Sequence, residues 1–277
     1  MPDTATQSID LDSPYPLQKE QISAFRERGY LKLKEVLNEA TLTHYRDAIA
    51  REVERLRETM PPMERRDTYA KAFVQAMNLW RNDRQIEEFV FSRRLAEIAT
   101  QLLGTKGVRL YHDQALFKEP SGGFTPWHVD QYYWPLSNTN TVTAWVPLHA
   151  VPMERGPLEF SVGSQNIQFG RDLSISDESE QAIGENLKRQ NLPVDSSPYD
   201  LGEVSFHYGY TFHRAGPNTT ELPREVMTII YMDSEMRVTE PKNKNQQADL
   251  DTWMPGCEPG GLADSELNPV LFERNDP

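Results

Sequence analysis

A change of hydrophobic period at Gly104 constrains this chain more than any other feature. Up to that glycine the apolar residues recur at helical spacing. Leu17, Ile22 and Phe25 make a short stripe that Gly29 can end in a left-handed cap, and Asn38 can cap a long helix running to about Glu58. Leu95, Ile98, Ala99 and Leu102 share one face of a helical region over 83–103, and 30–36 alternates like a strand. Beyond Gly104 the segments 108–118, 141–151, 158–162, 203–212 and 225–233 are short, rich in Val, Ile, Tyr, Phe and Thr, and parted by Gly, Pro and Asn turns. Helices first and strands afterwards predict an α+β domain, mainly β, whose helices buttress a β-sandwich or double-sheet barrel. One domain of 277 residues is expected. Its parts are a loose arm over 1–16, a mostly helical buttress over 17–104 and a β core over 105–237. A polar excursion or lid over 164–200 interrupts the core, and a tail over 238–277, holding many of the prolines and glycines, is expected to wrap the surface.

Acidic residues outnumber Lys and Arg by 42 to 29, a net charge of −13, which argues against nucleic acid or an anionic membrane as the principal partner. A small molecule is the expected partner. Cys257 is the single cysteine, so an internal disulfide or a thiolate metal cluster is not expected, and the thiol is read as inert. The first sixteen residues lack a basic start followed by an apolar run. No stretch approaches the roughly twenty apolar residues of a membrane span, so a cytoplasmic location is expected.

The segment TPWHVDQYYWP over 125–135 places His128 and Asp130 two apart among aromatic side chains. On a strand both would project from one face, a nitrogen and a carboxylate able to share a small cation. A third donor is needed, and GEVSFHYGYTFH offers two: His207 and His213 have the same strand parity and could face the same cavity. His213 is followed by the turn-rich RAGPNTTELP and then Arg224; a hairpin there would return Arg224 alongside His213. Two histidines and one carboxylate leave three positions of an iron open, the facial triad of non-haem Fe(II) oxygenases. A guanidinium beside such a site is a fork for a carboxylate or phosphate, and a 2-oxo acid that chelates the metal could pair its far carboxylate with Arg224. His207 is expected to be a hydrogen-bonded histidine of the strand core, His112 and His149 structural, and His44 a helix-surface residue.

Together, the opening helix with GYLKL, then LYHDQALFKEP, TPWHVD, GPLEFSVGSQ and GEVSFHYGYTFHRAGPN through Arg224 resemble the phytanoyl-CoA dioxygenase family of Fe(II)/2-oxoglutarate enzymes. The resemblance implies a double-stranded β-helix, the jelly-roll or cupin-like core. It implies iron ligation by His128, Asp130 and His213, and 2-oxoglutarate binding by Arg224 with contacts from Gln114 and Trp145. Fe(II), 2-oxoglutarate and dioxygen would be used to hydroxylate an unactivated C–H, releasing succinate and CO2. The chain departs from the family pattern at three places. Arg214-Ala215 stands where Gly-Ser is usual, which removes a hydroxyl from the co-substrate; Gly163-Ser164-Gln165 stands where GSH is usual; and an upstream lysine has only Lys71 as a candidate. Relatives that halogenate lack the carboxylate ligand, so Asp130 argues against halogenation. No strong basic cluster marks a coenzyme A site.

Several residues keep two readings. Gln114 and Lys118 share a face of one strand, either in the cavity or on a solvated surface. Trp145 is a co-substrate contact or core, and Trp127, Tyr132, Tyr133 and Trp134 are substrate pocket or aromatic core. GPLEFSVGS lacks the lysine and spacing of a phosphate loop, so its glycines are read as turns. At the level of function, a cupin-like lyase or isomerase without an oxo acid, or a non-catalytic binding protein on the same scaffold, are the alternatives.

Overall fold

The computed structural model describes residues 8–66 and 71–274. Eleven strands are found among them: β1 (Tyr30–Leu33), β2 (Val74–Met77), β3 (Gly107–Phe117), β4 (Thr125–His128), β5 (Thr141–Pro147), β6 (Leu158–Ser161), β7 (Val194–Ser196), β8 (Val204–Tyr208), β9 (His213–Ala215), β10 (Val226–Asp233) and β11 (Val270–Glu273). They form two antiparallel sheets. The larger runs β1-β8-β5-β10-β3-β11 with β2 also on β3, and the smaller runs β4-β9-β6-β7. The two sheets make the jelly roll that the resemblance implied, within the double-sheet class that the strand pattern predicted.

Alternation sorts the larger sheet into two faces. Val142, Ala144 and Val146 of β5, Met227, Ile229 and Tyr231 of β10, and Val204 and Phe206 of β8 join the helical core. The intervening Thr143, Trp145, Thr228 and His207 turn the other way, into a cavity. The helices covering the outer face are α1 (Lys19–Arg28), α2 (Glu39–Arg57), α3 (Arg84–Val90) and α4 (Arg93–Leu103). Gly29 ends α1 in the left-handed region at φ 85°, and the Asn38 side chain accepts the Thr41 amide at the start of α2, both as the sequence predicts. The helical region predicted over 83–103 is two helices. Asp83 caps the first, and Ser92, accepting from the Leu95 amide, starts the second.

A bulge in β3 decides which of its residues reach the cavity. The register against β10 skips Tyr111: Tyr231 pairs Leu110 and Ile230 pairs His112. Val108 and Leu110 therefore face the helices, whereas His112, Gln114 and Leu116 face the cavity.

Four sequence expectations change. The arm is tied down over its described part: Leu11 is buried, the Asp10 amide bonds Thr41 Oγ1 (2.9 Å) and its carboxylate pairs with Arg94. Residues 1–7 lie outside the described residues. The segment 203–212 is not one strand. β8 ends at Tyr208, and the chain leaves the larger sheet through Gly209, where a Cβ would sit 2.5 Å from Gln131 Oε1 and 2.6 Å from Thr141 Oγ1. The excursion over 164–200 holds a helix, α5 (Asp177–Arg189), and the strand β7. The tail does more than wrap: β11 extends the larger sheet beside β3, and α6 (Lys244–Trp253) lines the cavity.

Candidate active site

His128 and His213 are a direct cross-strand pair between β4 and β9, with ring centroids 4.1 Å apart. Each ring is oriented from behind. His128 Nδ1 lies 2.7 Å from the Pro126 carbonyl and His213 Nδ1 lies 2.9 Å from that of Thr211. A carbonyl only accepts, so both Nδ1 atoms carry the proton and both Nε2 lone pairs point into the cavity. Asp130 is not on the strand as predicted. It opens a 3₁₀ turn, Asp130–Tyr133, directly after β4. The turn brings Asp130 Oδ1 to 3.7 Å from His128 Nε2 and 3.5 Å from His213 Nε2. Among the described residues these three form the group able to hold a metal ion, with donor atoms within 4.8 Å of one another.

The chemistry of the donors fits a divalent ion. Burial pushes the His128 and His213 pKa values down, and for His213 the neighbouring His128 adds to this, so both imidazoles are neutral at neutral pH. Burial opposes the charge of Asp130, but His213, the hydrogen-bonded His207 and His128 outweigh it and hold the carboxyl well below its usual range. Two neutral nitrogens and one carboxylate on one side of a cavity are the donor set of a facial triad.

The other oxygen of Asp130 is fixed by the facing wall. Thr143 Oγ1 donates to Oδ2 at 3.0 Å and His207 Nε2 donates to it at 3.2 Å. Thr143 and His207 are register partners on β5 and β8. The chain crosses from the larger to the smaller sheet between His207 and His213, so the two histidines approach from opposite walls, with ring centroids 4.4 Å apart. They share the cavity, as parity suggested, but not the strand.

Arg224 does not return on a hairpin with β9. The loop after Ala215 crosses back to the larger sheet, and Arg224 forms an antiparallel bridge with Lys118. Its guanidinium nevertheless lines the same cavity as His213. Nη1 donates to the Gly156 carbonyl at 2.7 Å, Nε is buried without a partner, and the group lies 5.4 Å from the centre of the Trp145 ring. Gly156 can present that carbonyl only as glycine: its φ is 68°, and a Cβ would sit 2.3 Å from the Gly216 oxygen. Lys118 is fully buried, and its Nζ donates to the Gly123 carbonyl. Burial, with the charge of Arg224 adding, pulls its pKa down to about 6. Among the described residues neither Arg224 nor Lys118 has a carboxylate within ion-pair distance.

The cavity measures about 370 Å³, the size of a small-molecule site. Gln114 and Trp145 line it, Gln114 accepting from Gln75 Nε2 at 2.5 Å. Of the four aromatics near the HxD segment, Tyr133 and Trp134 reach it, whereas Trp127 packs with Ile183 and Leu187 of α5 and Tyr132 bonds Asn245. Arg214, in place of the family's glycine, points away to Glu159 and Glu180, and Ala215 lines the cavity without a hydroxyl. Lys71 gives its carbonyl to the Gly123 amide and is not among the lining residues. His149 accepts the Glu225 amide, a structural contact, and His44 is exposed on α2. Sequence reasoning missed Thr143, Thr228, Asp249 and Trp253 and assigned His112 to structure, although it lines the cavity. The spacing of His112 to Gln114 was the available signal; α6 offered only the capping Asn243.

A jelly roll carrying an open His/Asp/His site on one wall defines the class: a non-haem metalloenzyme scaffold. Residues 25–226 match the phytanoyl-CoA dioxygenase (PhyH) family, most of the chain, and the chain belongs to that family. It is 26% identical over 150 residues to the probable alpha-ketoglutarate-dependent hypophosphite dioxygenase of Stutzerimonas stutzeri, covering 53% of this chain and 52% of that protein. The chain thus spans about half the length of that relative. Among solved structures, the non-heme alpha-ketoglutarate-dependent carbocyclase SnoK from nogalamycin biosynthesis is similar at a TM-score of 0.74 and 26% identity, over 94% of this chain and 100% of that one. The epimerase SnoN, in complex with Fe3+, alpha-ketoglutarate and nogalamycin RO, is similar at 0.73 and 25% identity, over 92% and 98%. Among the described residues, no helix is long and apolar enough to cross a membrane.

Proposed function

We propose that this chain is an Fe(II)- and 2-oxoglutarate-dependent dioxygenase that hydroxylates an unactivated C–H of a small organic substrate. One observation carries the reading: a His/Asp/His donor set shares a cavity with a buried guanidinium, Arg224, that has no carboxylate within ion-pair distance among the described residues. A buried uncompensated guanidinium is costly, and a ligand that brings the carboxylate offsets the cost. The sequence order of the strands separates the two features. Arg224 and Lys118 bridge at one end of β3 and β10, while Asp130 is held by Thr143 and His207 further along the sheet.

In this reading His128, Asp130 and His213 hold the iron. When bound, the ferrous ion supplies dioxygen activation, coupled to conversion of 2-oxoglutarate to succinate and CO2. Arg224 takes the distal carboxylate of the co-substrate, with the buried Lys118 behind it on the neighbouring strand, and the Trp145 ring walls that segment. Gln114, on the neighbouring strand, limits where the co-substrate lies. Thr143 and His207 keep Asp130 from rotating, so Oδ1 stays turned toward the two Nε2 atoms.

The fold is shared by enzymes with other outcomes, so the product must be read directly. The test is dioxygen-dependent succinate release by the iron-loaded protein, with mass analysis of substrates that stimulate it. Release lost in Asp130→Ala and a product gaining one oxygen atom are expected. Cyclised or epimerised product would reassign the reaction while keeping the cofactors, and activity without dioxygen would overturn both.

A further inference from the structure

The cavity is polar in opposite senses at its two ends. Arg224 makes one end cationic. The other end is bordered by α6, which lies beyond the 25–226 segment matching the family. There Asp249 and Trp253 face the cavity, both half-buried. The Asp249 carboxylate accepts one hydrogen bond, from the Tyr111 hydroxyl at 2.9 Å. Among the described residues no Lys, Arg or His lies within ion-pair distance of it. Burial raises its carboxyl to about 7, so near neutrality it holds its proton part of the time, and a cation arriving beside it would favour the charged form.

Aromatic side chains share this end of the cavity with the carboxylate. Tyr111, displaced by the β3 bulge, packs on Trp134 with centroids 5.3 Å apart, and Trp253 lies 5.4 Å from His112. Tyr133 lines the same space; burial above all raises its phenol above the ordinary range, with Tyr132, Asp130 and Asp249 adding to it. Electron-rich ring faces beside an unpaired carboxylate are complementary to a cation that can also donate hydrogen bonds. A purely structural role for Asp249, as acceptor for Tyr111, would be served as well by a neutral amide, without the cost of burying a charge.

We propose that the substrate carries a protonated amine, which docks on the Asp249 carboxylate against the Trp253 and Tyr133 rings while its apolar body reaches toward Asp130. The amine thus sits at the end of the cavity away from Arg224, and the oxidised carbon is not the one that bears it. The net charge of −13 favours approach of such a cation. This assignment rests on reading the cavity as the oxygenase active site.

The test uses three probes of one shape, benzylamine, benzyl alcohol and benzoate, titrated by ligand-observed NMR into the full-length protein without added metal. Benzylamine is expected to bind roughly ten- to a hundred-fold more tightly than benzyl alcohol, benzoate is expected to go to Arg224 at the other end, and Asp249→Asn is expected to bring amine and alcohol within about threefold without changing benzoate. Equal binding of amine and alcohol, no detectable binding of the amine, or an amine preference that survives in Asp249→Asn overturns the inference. Should the variant not fold, the ratio of amine to alcohol affinity on the wild-type protein decides. A parallel titration of 2-oxoglutarate into the Mn(II)-loaded wild-type protein separates the two failures. Saturable 2-oxoglutarate binding without an amine preference sinks only this inference. An amine preference without 2-oxoglutarate binding sinks the oxygenase reading and leaves the amine site standing.

Discussion

Replacing Arg224 by methionine is expected to weaken 2-oxoglutarate binding severely while leaving the ligand-free fold about as stable as before. The guanidinium is 2% exposed, and burial pulls its pKa from 12.5 to about 10. That depression corresponds to roughly 3 kcal/mol against the folded chain. Below pH 10 the folded and unfolded chains both keep the proton, so the whole cost is present at neutral pH and recedes only as pH rises from 10 toward 12.5. Methionine removes this cost. It also strips the Gly156 carbonyl of its 2.7 Å donor, which costs about 1–3 kcal/mol for a buried acceptor. The two effects nearly cancel, and unfolding free energy should change by no more than about 2 kcal/mol. Binding has no such compensation. Two charge-assisted hydrogen bonds to a carboxylate are worth roughly 1.5–3 kcal/mol each, so affinity should fall by about two to four orders of magnitude. Denaturant unfolding without ligand and calorimetric titration of 2-oxoglutarate into the Mn(II)-loaded protein measure the two quantities. Wild-type affinity in Arg224→Met, or a stability loss above about 4 kcal/mol without ligand, would refute the reasoning.

Lys118 provides an independent check. With its pKa near 6 it is largely neutral at pH 7.5 in the ligand-free protein, and a carboxylate arriving beside it restores the charge. Binding of 2-oxoglutarate at pH 7.5 should take up close to one proton, and at pH 5, where the amine is already charged, almost none. Calorimetry in buffers of differing ionisation enthalpy reads this directly, and uptake that persists in Lys118→Met would contradict it. For Asp130, removing either donor to Oδ2, as Thr143→Val or His207→Phe, should weaken Co(II) binding roughly ten- to a hundred-fold while preserving one ion per chain. Unchanged affinity in both variants would mean that these bonds do not position the carboxylate.

The sequence carried the strands and the donors better than it carried their arrangement. The Val, Ile and Thr alternation in 141–151 and 225–233 places β5 and β10 to within a few residues, because a sheet with one face on helices and one on a cavity must alternate. His128 and Asp130 were legible as a pair, though a 3₁₀ turn, not strand parity, turns Asp130 inward. What hid the rest was local irregularity. Gly209 breaks an unbroken-looking run because backbone must pass close to Gln131 and Thr141, so His207 and His213 end on different sheets. The bulge at Tyr111 inverts the parity of β3 without any glycine to announce it. In α6 the buried residues are only Gln246 and Leu250, too narrow a stripe for periodicity to detect, yet the helix brings Asp249 and Trp253 to the cavity.

The most direct measurement is a Co(II) titration, with spectroscopic and calorimetric readout, of the wild-type protein beside Asp130→Ala, His213→Ala and His207→Ala. One tightly bound ion per wild-type chain is expected, lost in the first two variants and kept, with reduced affinity, in the third. An ion retained at full affinity in His213→Ala, or abolished in His207→Ala, would place the donors elsewhere and contradict the site described above.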